Sequence, residues 1–127
     1  MRRLILMFAV AAMAQEYPDL AAWMKTNNTA SSALQKLEKK TGPQAVRAAE
    51  QMGGVFENMI AFWRGRNISD AVKWAEAGKV SALELATAAS AGDAERADAA
   101  FKTLTDTCRS CHEAHREKVG EGKYRLK

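Results

Sequence analysis

Through most of the chain, apolar residues recur at steps of three and four, the period of an amphipathic helix. From Pro18 to about Lys39 the stripe reads Leu20, Trp23, Met24, Asn27, Ser31, Leu34 and Leu37, and Pro18 suits a first turn. Its middle, Thr26-Asn27-Asn28-Thr29, is made of poor helix formers, so packing must hold it. Gly42 can end this helix, and Thr41-x-x-Gln44 reads as a capping box opening the next. A second helix, about Pro43 to Arg64, lines up Val46, Ala49, Met52, Phe56, Met59 and Trp63, interrupted by Gly53 and Gly54.

A third helix is predicted from Ile68 or Ser69 to Ser90, with a thin, alanine-rich face of Val72, Trp74, Ala75, Ala82, Leu85, Ala86 and Ala89. Gly92 closes it, and Asp93 is a good N-cap for a fourth. There Ala97, Phe101, Leu104, Cys108, Cys111, His112 and His115 continue the three-and-four spacing to about Lys118. The glycines at 120 and 122 then stop the helix, and a basic, solvated tail follows. Four helices of about 20 residues with short connections predict an all-α fold, an antiparallel up-down-up-down bundle.

The N-terminus changes the picture of the whole. Met1-Arg2-Arg3, the apolar run Leu4 to Ala12, and Ala12-Met13-Ala14 have the three parts of a secretory leader. This predicts a signal peptide over 1–14, one domain over 15–127, and a periplasmic protein. The apolar run is well short of the roughly 20 residues that span a bilayer, so no stable membrane anchor is expected. Two of the 19 basic residues, set against 15 acidic ones, lie in this leader. The remaining excess is small and makes no electrostatic case for nucleic acid as partner. Asn27 and Asn67 each head an N-x-[ST] sequon, a pattern common by chance and given no weight.

The strongest chemical signal is Cys108-Arg109-Ser110-Cys111-His112. On a helix the two thiols lie one turn apart, and the histidine is four residues from the first, so all three address one patch. Covalent haem attachment needs this arrangement: each thiol adds across a vinyl group to form a thioether, and the imidazole reaches the iron axially. Structural zinc would want four N/S ligands, and only His115 is left to supply a fourth. A thioredoxin-like dithiol would need a strand-helix-strand setting. With haem in view, Gly53 and Gly54 have two readings: close approach of a flat macrocycle, or tight helix–helix contact.

The chain resembles the class II cytochromes c, the cytochrome c-prime family, over essentially the whole mature length. In that family Cys-x-x-Cys-His lies on the last helix of a four-helix bundle, commonly extended to Cys-x-x-Cys-His-x-x-Tyr/Phe-Arg. Here the stretch is Cys108-Arg109-Ser110-Cys111-His112-Glu113-Ala114-His115-Arg116, with His115 where an aromatic residue is usual. The resemblance implies one haem c held by Cys108 and Cys111, His112 as proximal iron ligand, and Arg116 beside it. His115 should share the side of His112 and act as a second layer behind the ligand.

Met-ligated relatives carry their methionine on the first helix, often as Arg-x-x-x-Met-Lys. In Leu20-Ala21-Ala22-Trp23-Met24-Lys25, Met24 falls at that position and Leu20 replaces the arginine. Two functions follow. With Met24 as sixth ligand the protein is an electron carrier serving redox protein partners. With Met24 only as core filler, it is a five-coordinate, high-spin protein that binds nitric oxide or carbon monoxide. Met52, Phe56 and Met59 are expected to line the pocket as packing. Enzymatic turnover of peroxide is not expected, because a distal acid/base is needed and both histidines lie on the last helix. The family often dimerises through its first two helices, and Trp23 is a candidate for either such an interface or an internal one.

Overall fold

A computed structural model describes residues 17–120 and 123–126. The leader expected over 1–14 lies outside the described residues. Four helices, α1 Pro18–Lys36, α2 Pro43–Gly65, α3 Ser69–Ser90 and α4 Ala94–His115, form a bundle. A hairpin, β1 Arg116–Gly120 and β2 Lys123–Leu126, follows. Among the described residues no helix is long and apolar enough to cross a membrane.

Local chemistry sets the helix ends. Pro18 and Pro43 occupy first turns, where a missing N–H costs nothing. At the end of α2, Asn67 has φ 59°, and the N–H groups of Asn67 and Ile68 donate to the carbonyls of Arg64 and Trp63. At the end of α3, Gly92 (φ 71°) and Asp93 do the same to Ala89 and Ala88. Both are Schellman closures, which reclaim carbonyls left over at a helix end. Asp93 then caps α4 by accepting from the Arg96 N–H at 3.1 Å.

Three expectations need correction. Helix α1 stops at Lys36, with Leu37 extended, so Gly42 does not close it. Gly42 instead sits at the N-cap of α2 with φ 91°, and no capping-box hydrogen bond from Thr41 forms. At the other end α4 stops at His115 rather than Lys118. Arg116 turns extended, and the tail pairs antiparallel upon itself, Arg116 opposite Leu126 and Lys118 opposite Tyr124. Antiparallel pairing of Arg116–Gly120 with Lys123–Leu126 therefore ends the helix before either glycine is reached.

The core runs the length of the bundle, and Leu20, Leu34, Met52, Leu85 and Leu104 are its largest fully buried side chains. Helices α2 and α3 pack most closely, with Gly78 of α3 against the Phe56 ring of α2 and Ala82 against Gly53. Gly78 is the tightest point: a Cβ there would lie 2.5 Å from the Phe56 ring. Gly53 faces Ala82 and Leu83 at an ordinary 3.8 Å, and a Cβ on Gly54 would meet nothing. Neither glycine lines the cavity described below, and Gly53 serves the helix–helix contact. Helix α1 packs chiefly on α2, pinned at its start by edge-on contacts of Tyr17 and Trp23 with Phe62 and by Arg66 stacked 4.2 Å over Tyr17. It scarcely approaches α4.

Candidate functional site

Between α1 and α4 the bundle leaves a cavity of about 110 Å³. Its α4 wall is Thr105, Thr107, Cys108, Cys111 and His112, and its α1 wall is Met24, Asn27, Asn28 and Ser31. Met52, Phe56 and Met59 of α2, with Trp74 and Ala75 of α3, form an apolar floor. Four residues singled out in the sequence, Met24, Cys108, Cys111 and His112, thus share one space, with the thioether and the imidazole on different helices.

Burial sets the protonation of this wall. It pushes both thiols up to about 11, with the neighbouring Cys108 and the Asp70 carboxylate adding to the effect on Cys111. Reactive dithiols have the opposite perturbation, a lowered pKa that exposes thiolate, so the pair is a poor redox dithiol. The His112 imidazole is held below its usual 6.5, first by burial and then by the Arg116 charge, which favours the neutral form that ligates metals. Arg116 is half-buried at the start of β1, its N–H bonded to the His112 carbonyl, and so lies beside that residue.

His115 does not line the cavity. Its Nε2 is 3.0 Å from Asp70 Oδ2, and its ring lies between Trp63 (5.7 Å) and Trp74 (5.8 Å). Desolvation would raise the Asp70 carboxyl, but the His115 hydrogen bond, the Ala71 N–H and the histidine's charge more than reverse this, holding it below the usual 3.8. The pair ties the end of α4 to the start of α3 and backs Trp74, whose other side faces the cavity. Sequence spacing could not find it, since the partners are 45 residues apart. Asn27 and Trp74 were legible only as members of helical stripes, and Asn28, Thr105 and Thr107 carried no signal.

No protein-family model, curated protein or solved structure matches this chain. Among the described residues no group of three or more Cys, His, Asp or Glu side chains is placed to hold a metal ion by itself, whereas structural zinc takes four protein ligands. A haem c instead asks for two thiols one helical turn apart with a histidine directly after the second, which α4 carries in Cys108, Cys111 and His112, beside an apolar surface, which α2 and α3 supply. The cavity is smaller than the roughly 300–1,000 Å³ that encloses a drug-sized molecule, and α1, held by α2 but scarcely by α4, is the wall across from the thiols.

Proposed function

We propose that the protein is an exported, periplasmic monohaem c-type cytochrome of the class II kind, transferring electrons between redox proteins. The observation that carries this is the convergence of Cys108, Cys111, His112 and Met24 on one apolar cavity between the first and last helices. Cys108 and Cys111 hold haem c through thioethers, His112 is the proximal ligand, and Met24 is the sixth. When bound, the haem iron supplies a one-electron couple whose potential a thioether ligand raises. The chain's own residues do the rest. Met52, Phe56, Met59 and Trp74 exclude water, Arg116 places a positive charge next to His112, and the His115–Asp70 pair fixes the wall behind Trp74.

The short connections, and the packing of the start of α1 against the end of α2, support an antiparallel, up-down-up-down order. Partners are other redox proteins, with a second copy of this chain as a candidate through the first two helices. Catalytic turnover is not part of the proposal, since the two histidines both sit on α4 and the facing α1 wall offers no acid/base.

A second reading is five-coordinate iron binding nitric oxide or carbon monoxide. It is favoured by the space left beside Met24 on the wall facing His112, which a closed thioether site does not require. Optical absorption separates the two. An electron carrier gives low-spin bands in both oxidation states and ignores carbon monoxide, and Met24→Ala converts it to a high-spin form that takes the gas up. High-spin bands in the unaltered protein, or an unchanged spectrum in the variant, remove Met24 from the sixth position.

A further inference from the structure

Asn27 is 8% exposed, and its Oδ1 has no hydrogen-bond partner among the described residues. It lies three residues beyond Met24 on the same wall of the cavity, so it borders the space facing His112. The floor of the cavity is Met52, Phe56 and Met59, which cannot donate to an oxygen, and the hydroxyls of Ser31, Thr105 and Thr107 that also line it make no hydrogen bond to Asn27 Oδ1. A buried acceptor left unpaired is costly, and a leucine in this place would pack without that cost. The carbonyl therefore suits something that enters the cavity carrying its own N–H or O–H. A haem propionate does not meet that need, because a carboxylate only accepts.

We propose that Asn27 is a specificity-determining residue: it favours, at the iron's sixth position, small neutral nitrogen or oxygen ligands that bear a hydrogen-bond donor. This rests on the haem reading above. Ligands that only accept, or that cannot hydrogen-bond, gain nothing from this oxygen, so the wall discriminates by donor content rather than by size. Met24 and Asn27 then divide the α1 wall between them. The thioether closes the iron, and the carbonyl determines which ligand can take its place.

The test uses the ferric holoprotein with Met24→Ala to open the sixth position, titrated optically with imidazole and with 1-methylimidazole, which has the same ligating nitrogen and no N–H. Asn27→Leu is then added and the two titrations repeated. Comparing the ratio of the two affinities across the variants cancels the bulk of the extra methyl group. The ratio favouring imidazole should fall about three- to tenfold in Asn27→Leu, the ordinary net effect of one hydrogen bond. Asn27→Ala serves as the second variant, and a thermal melt of each confirms the fold. An unchanged ratio with an intact haem spectrum overturns the role of Asn27 alone. Failure to acquire any haem overturns both this inference and the haem reading.

Discussion

Gly78→Ala is the most informative single change for the packing of the bundle. In an unobstructed helix interior, alanine is about 1 kcal/mol better than glycine. At Gly78 the new Cβ would sit 2.5, 2.7 and 2.8 Å from three atoms of the Phe56 ring, which is 3% exposed. Those distances are too short for any real contact, so the ring must move, and overpacking of a core costs about 1–3 kcal/mol. A clash with three atoms of a buried aromatic ring belongs at the upper end. Subtracting the propensity gain leaves a net loss of about 1–2 kcal/mol, or roughly 4–10 °C in melting temperature for a domain of this size. Gly54→Ala is the built-in control, since nothing lies within 4 Å of its Cβ and the same propensity gain should raise the melting temperature. The assay is thermal unfolding followed by far-ultraviolet circular dichroism. Phe56 also lines the cavity, which offers its ring a place to go, so the penalty should be larger in the haem-loaded protein. Equal stabilisation by both alanines would refute the packing described between α2 and α3.

Asp93→Ala removes the cap of the helix that carries Cys108, Cys111 and His112; denaturant titration should show a loss of about 1 kcal/mol, largely restored by Asp93→Ser. Asp70→Asn should destabilise the protein near neutrality through the lost His115 contact. Because the folded Asp70 carboxyl lies below its usual value, that contribution is present above the unfolded pKa and is lost as pH falls through the folded one. Melting curves of variant and parent should therefore converge below about pH 4, the ordinary carboxylate range. A gap that persists in acid would mean that the residue acts by packing alone.

The helices were legible because their punctuation is local: Pro18 and Pro43 open two of them, Gly92 and Asp93 separate the last two, and the three-and-four stripes lie between. The α4 face bearing Cys108, Cys111 and His112 could be read for the same reason, since all three belong to one element. What escaped depends on partners distant in the chain. Gly53 and Gly54 drew attention as a pair, yet the glycine the packing needs is Gly78, and only the Phe56 ring facing it reveals why. The contact of His115 with Asp70 joins two helix ends. Pairing of Arg116 with Leu126 turns a tail that looks merely basic into a hairpin, and it shortens α4. The need for a donor at Asn27 is likewise invisible until its Oδ1 is seen to be buried without a hydrogen-bond partner.

The central claim is that Cys108 and Cys111 carry a haem. Its most direct test is the intact mass of the purified protein, expressed with c-type haem maturation factors and measured under denaturing conditions. A gain of one haem per chain that survives acid-acetone extraction, and becomes extractable when Cys108 and Cys111 are both replaced by alanine, is the predicted result. An unmodified mass alongside a correctly matured control cytochrome would contradict it.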